Sequence, residues 1–169
     1  MARNIEIKAR VAALADARAI ALAIGAVPHA SEEQTDRYYV VDGAHRVKLR
    51  TIAGGRAELV EYRRDEKSGV RASDYTVTPV RDERAGVCLV PKGEPLLIVR
   101  KQREILLRDN VRIHLDEVHG LGSFIELEAV IDDDHDESIC RGQVAYILRA
   151  LGLGDADLIR ASYAELIQR

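Results

Sequence analysis

The chain has 169 residues, 47% of them hydrophobic, and a formal net charge of -3. That length suggests one domain over residues 1–169, able to bury a real core, and the composition excludes a disordered chain. The slight acidity gives no overall attraction for nucleic acid or a membrane surface, and no apolar run approaches bilayer-spanning length. The N-terminus is charged and strand-like, so no secretion signal is expected. Cys88 and Cys140 lack metal-ligand spacing and read as free thiols in a reducing compartment, with the cytoplasm as the default location.

In chain order, Asn4-Ile5-Glu6-Ile7-Lys8-Ala9-Arg10 alternates strictly between polar and apolar residues. Side chains on a strand point to opposite faces with period two, so Asn4, Glu6, Lys8 and Arg10 share one face. Asp16 to Ile24 is an alanine-rich helix stopped at Gly25. Pro28 to Gln34 reads as a polar connection and Thr35 to Val41 as a strand. Asp42-Gly43 turns into a strand from His45 to Thr51 carrying Arg46, Lys48 and Arg50 on one face. Gly54-Gly55 turns into Ala57 to Arg64, which groups Glu58, Tyr62 and Arg64. Asp65 to Gly69 reads as a polar loop, and Arg71 to Pro79 as extended.

Val80 to Val90 reads as a helix broken at Gly86, and Pro91 to Pro95 as a loop. Leu96 to Leu107 is a long strand with Lys101 and Arg103 together. After the Arg108-Asp109-Asn110 turn, Val111 to Val118 returns with Arg112, His114 and Asp116 on one face. Gly120-Leu121-Gly122 turns into Phe124 to Ile131, with Glu126 and Glu128 on one face. Asp132 to Glu137 is an acidic turn, and helices are expected over Ser138 to Leu151 and Asp155 to Gln168.

The polar faces collect Lys8, Arg10, Arg46, Lys48, Arg50, Arg64, Lys101, Arg103 and Arg112 against Glu6, Glu58, Asp116, Glu126 and Glu128. They are therefore richer in cations than the chain as a whole. A solvated face laced with salt bridges explains any one such strand. Five or six of them together point to a closed antiparallel barrel whose charged faces line the interior, with the apolar faces buried against helices. Unpaired charges cannot fill a dry core, so the interior must be a wet cavity for a polyanion. Arg and Lys match phosphate oxygens, and the interspersed carboxylates suit Mg²⁺ or Mn²⁺.

The remaining signals carry less. His114 and His119 read as surface or hydrogen-bonded residues rather than a metal pair. The acidic turn lacks the glycine and spacing of a calcium loop. No helix follows Gly120-Leu121-Gly122, so it is not a dinucleotide fingerprint. Ser73 has no evident catalytic partners. Tyr163 and Leu166 read as core. Trp is absent and Phe124 is the only Phe, which leaves no obvious aromatic clamp for a base.

Glu6-x-Lys8 resembles the end of the Glu-x-Glu-x-Lys signature of the CYTH superfamily, the triphosphate tunnel metalloenzymes. Further matches follow in family order: Arg46-x-Lys48-x-Arg50, Glu58 followed by Tyr62-x-Arg64, Lys101-x-Arg103, Arg112 with Asp116, and Gly122-x-Phe124-x-Glu126-x-Glu128. The resemblance covers nearly the whole chain. It implies an α+β fold, a closed eight-stranded antiparallel tunnel flanked by helices. By matching position it implies Glu6, Glu126 and Glu128 as metal ligands with Glu58 and Asp116 in support. It implies Lys8, Arg46, Lys48, Arg50, Arg64, Lys101, Arg103 and Arg112 as phosphate contacts. Relatives are often homodimers, though no feature of this chain demands a dimer.

The first signature Glu is Asn4 here, which offers a carbonyl oxygen but no charge, so the metal should be held less tightly. Relatives of the class IV adenylyl cyclase type begin similarly. The resemblance implies either cyclisation of ATP to cyclic AMP and pyrophosphate, or hydrolysis of inorganic, thiamine or nucleoside triphosphate. A non-catalytic polyphosphate- or nucleotide-binding module is a third reading. No residue declares itself as the base, and Lys8, desolvated among other cations, is the candidate.

Overall fold

The computed structural model describes residues 2–42, 45–64 and 71–168, with side chains left aside at Ala2, Asp42, Arg64, Arg71 and Ala72. The strands are β1 (Ala2–Arg10), β2 (Val27–Asp42), β3 (His45–Ile52), β4 (Arg56–Arg64), β5 (Arg71–Val80), β6 (Leu97–Arg108), β7 (Val111–Val118) and β8 (Gly122–Val130). They close into a barrel in the order β1-β5-β4-β3-β2-β6-β7-β8, with every pairing antiparallel. Helices α1 (Leu14–Ala23), α2 (Glu83–Val87), α3 (Glu137–Ala150) and α4 (Tyr163–Ile167) lie around it. None of the described helices is long and apolar enough to cross a membrane. Cys88 and Cys140 are free thiols.

The alternation sorts the barrel into two environments. Ile5, Ile7, Ile113, Leu115, Ile125 and Leu127 point outward and are buried against α1 and α3. Each such side chain stabilises the fold by roughly 1.5–3 kcal/mol. Ala17 and Ala21 let α1 lie close to the strands, while α3 contributes Cys140, Val144, Ile147 and Leu148 at helical spacing. Asp136 caps α3 by accepting the Ile139 N–H at 2.8 Å. The inward positions hold the charged residues.

Three local expectations change. Pro28 to Gln34 is not a connection but the first half of β2, a strand of 16 residues. Pro28 sits at a bulge where the β2–β6 register shifts, a place where a missing N–H is tolerated. The helix expected over Val80 to Val90 shrinks to α2 and passes through Gly86 instead of breaking there. A Cβ at Gly86 would stand 2.3 Å from Leu49 Cδ1, so glycine is what lets α2 rest on β3. Asp155 to Gln168 is not one helix: a 3₁₀ turn at Asp155–Asp157 gives way to extended chain, where Leu158 bridges Ala9 and Ile159 donates to the Lys8 carbonyl at 2.7 Å. Ser162 then restarts the helix, accepting from the Glu165 N–H while the Glu165 carboxylate accepts from Ser162 N–H. The tip of the Asp42-Gly43 turn and the Asp65 to Gly69 loop lie outside the described residues.

The last segment closes one end of the barrel. Tyr163 and Ala164 of α4 pack on Tyr38, Val99, Val118 and Phe124, all interior-facing. Their burial fills that end with apolar side chains and leaves the charged residues around a cavity of about 620 Å³.

Candidate active site

One wall of this cavity comes from β2, β3 and β6. At its centre Asp36, 1% exposed, accepts from Lys48 Nζ at 2.6 Å, Arg50 Nε at 2.7 Å and Lys101 Nζ at 3.4 Å. Burial alone would raise the Asp36 pKa, but Arg50, Lys101 and Lys48 hold it well below the usual carboxylate range. The same crowding acts on the lysines. Burial and the neighbouring Arg50 pull Lys48 well below the ordinary value, and burial with Arg103 brings Lys101 to about 8.

The facing wall comes from β1, β7 and β8. Lys8 Nζ stands 2.7 Å from Glu126 Oε1, and Arg103 reaches across from β6 to Glu126 Oε2. Arg103 also forks onto Asp116, with Nε donating to Oδ1 at 2.7 Å, while Tyr163 Oη donates to Asp116 Oδ2 at 2.7 Å. Burial opposes ionisation of Glu126, and Lys8 and Arg103 outweigh it, holding this carboxyl well below its usual range. Glu128 is also lowered, with His114, Arg103 and Arg112 outweighing burial. Tyr163 stays a donor, because burial beside Glu126 and Asp116 pushes its pKa well up. His114, buried, places Nδ1 3.8 Å from both Glu126 Oε2 and Glu128 Oε1. These three side chains offer ligand atoms within 4.8 Å of one another.

The barrel brings Glu6, Lys8, Lys48, Arg50, Glu58, Lys101, Arg103, Arg112, Glu126 and Glu128 to the cavity surface. Asp116 stands behind that surface, fully buried beneath Arg103. Arg46, also buried, donates to Glu165 Oε1 at 2.9 Å and so ties β3 to α4. The Arg64 side chain lies outside the described residues. Arg10 is exposed, over the Phe124 ring. Asn4 is buried at the cavity surface, with Oδ1 lacking a hydrogen-bond partner among the described residues.

Sequence reasoning missed several residues. Glu32, Gln34, Asp36 and Tyr38 alternate inward along β2, but only the second half of that strand was recognisable and its polar face went unread. His114 is neither a surface residue nor a hydrogen-bonded one at Nδ1. Tyr163 is core and cavity wall at once, its ring 4.0 Å from Lys8 Nζ. Aromatic lining exists after all, in Tyr38, Tyr62 and Tyr75.

The CYTH domain family model matches residues 2–163. A protein of Methanocaldococcus jannaschii provisionally named an adenylate cyclase is 38% identical over 68 residues, 40% of this chain and 39% of that protein's length. Among solved structures, the PH1012 protein of Pyrococcus horikoshii superposes with a TM-score of 0.84 at 24% identity, over 96% of this chain and 98% of its own. A Hippeastrum protein, provisionally an adenylyl cyclase and described as having a dominant triphosphatase activity, superposes with a TM-score of 0.63 at 15% identity, over 98% and 95% of the two chains.

Proposed function

The chain belongs to the CYTH domain family, and from that premise we propose that it is a divalent-metal-dependent enzyme that seats a nucleoside triphosphate in the barrel and converts ATP to cyclic AMP and pyrophosphate. The observation that carries this reading is the wall where Lys48, Arg50 and Lys101 share one carboxylate, Asp36. Three fixed cations against a single anion favour a polyanionic guest. The tyrosines at the same cavity give a base surface to stack on.

The donor set facing that wall fits a metal: Glu126 and Glu128 with the nearby His114 present oxygen and nitrogen atoms close enough to share one ion. Glu126 and Glu128, with Glu6 beside them, are the residues proposed to hold it. A bound divalent ion supplies charge neutralisation at the phosphate oxygens. The chain's own residues do the rest. Lys48, Arg50 and Lys101 hold phosphate oxygens and stabilise the charge that develops on the leaving pyrophosphate. Asp116 and Tyr163 fix Arg103 in place for the same task. Lys8 is held between Glu126 and the Tyr163 ring. Lys8 is the candidate to receive the ribose 3′-hydroxyl proton.

Triphosphate hydrolysis is the second reading. It is favoured by the Hippeastrum protein of the same fold, whose dominant activity is described as triphosphatase. Incubation with ATP, thiamine triphosphate and tripolyphosphate, each with Mg²⁺ or Mn²⁺, tests both. Cyclic AMP with pyrophosphate is the expected product. Orthophosphate without cyclic AMP gives the hydrolase, and binding without turnover overturns both.

A further inference from the structure

His114 is the residue at this cavity that phosphate binding leaves unexplained. It is 4% exposed, lies on the inward face of β7, and its Nδ1 has no hydrogen-bond partner among the described residues. A buried nitrogen without a partner forfeits about 1–3 kcal/mol of hydration, so such an atom calls for an occupant. Oxygens of Glu126 and Glu128 each stand 3.8 Å away. That is too far for a hydrogen bond. It is the right span for two ligands of one ion: atoms 3.8 Å apart, each about 2.2 Å from a shared centre, subtend roughly 120° at it.

We propose that His114 is a nitrogen ligand to the metal held by Glu126 and Glu128, and that this mixed donor set selects a first-row transition ion over Mg²⁺. The inference rests on the metal-dependent reading above and deepens it. Mg²⁺ prefers oxygen donors and near-ideal octahedral geometry and dehydrates reluctantly, while imidazole suits Fe²⁺, Ni²⁺, Cu²⁺ and Zn²⁺ best and Mn²⁺ stands between the two groups. Glu126 reinforces the preference. Lys8 occupies its Oε1 side and Arg103 its Oε2 side, so much of its charge is already neutralised. A hard ion that depends on carboxylate charge loses most from this arrangement, and an ion that bonds well to nitrogen loses least. Asn4 acts in the same direction, since it brings no charge where the family signature has its first Glu.

Mn²⁺ is the probe, because its paramagnetism reports its ligands directly. The full chain is prepared with ¹⁵N-histidine and loaded with Mn²⁺ and tripolyphosphate. Pulsed EPR is expected to show a directly bound histidine nitrogen, and His114→Gln is expected to remove that signal. By calorimetry the wild type should prefer Mn²⁺ to Mg²⁺ by about tenfold or more, and His114→Gln should bring the ratio close to one. The wild-type EPR measurement stands even where the variant folds poorly. Mn²⁺ bound without histidine coupling overturns the proposal and leaves the metal-dependent reading intact, with His114 outside the coordination shell. Equal weakening of both ions by His114→Gln also overturns it. Failure of either ion to bind with tripolyphosphate present overturns the proposal and the metal-dependent reading together.

Discussion

The two walls of the cavity grow from the same alternating strand pattern and reach opposite electrostatic solutions. On β2, β3 and β6, Lys48, Arg50 and Lys101 share Asp36, while the other inward carboxylate, Glu32, pairs with Arg56. On β1, β7 and β8, Glu126, Glu128 and Asp116 meet Lys8, a more distant Arg112, and Arg103 reaching over from β6. The first wall is short of negative charge and gains most from a guest that supplies it. The second nearly neutralises itself, so its side chains are held in fixed positions before any guest arrives. Local stoichiometry of charge, rather than net charge, separates the proposed phosphate surface from the proposed metal surface.

The most direct way to break this contrast is Asp36→Asn. It leaves three buried cations without their carboxylate and should lower stability by about 3–5 kcal/mol. Tripolyphosphate should then raise the melting temperature of the variant more than that of the wild type. Equal shifts in thermal unfolding would show that Asp36 and the phosphate do not share partners. Glu128→Gln on the facing wall, or Lys101→Ala beside Asp36, should cut turnover by roughly 10²–10³-fold in steady-state assays, with circular dichroism unchanged. Wild-type rates in both variants would remove these residues from the site. Tyr163→Phe deletes one hydrogen bond to a buried carboxylate and should cost about 1.5–3 kcal/mol in denaturant unfolding.

The smallest effect is one of pH. Lys101 has a folded pKa near 8 against 10.5 for the ordinary side chain. Between those values the unfolded chain binds more protons than the folded one, so this group adds stability as pH rises from about 8 to 10. The gain should be on the order of 1 kcal/mol per pH unit. Chemical denaturation across that range should show the slope, and Lys101→Met should flatten it.

Much of the barrel was legible because period-two alternation survives wherever one strand face is apolar. It failed over Val27 to Gln34, where the inward face meets a wet cavity and the outward Ser31 and Glu33 meet solvent. A strand polar on both sides has no pattern to read, and in the recognisable half, Thr35 to Val41, the lone inward acid Asp36 does not mark a charged face. His114 was hidden for a different reason: a lone histidine says nothing until β8 is folded beside β7. The break at Ser162 was readable, since Ser162 and Glu165 have capping-box spacing, but the helical periodicity on either side masked it.

The C-terminal helix lies across one end of the barrel on Tyr38, Val99, Val118 and Phe124, pinned by Arg46 to Glu165. On the proposed reading, a triphosphate that enters opposite this helix leaves by the same route. Traffic then becomes a stack rather than a queue: the fragment seated deepest departs last, and product inhibition should follow that order of exit.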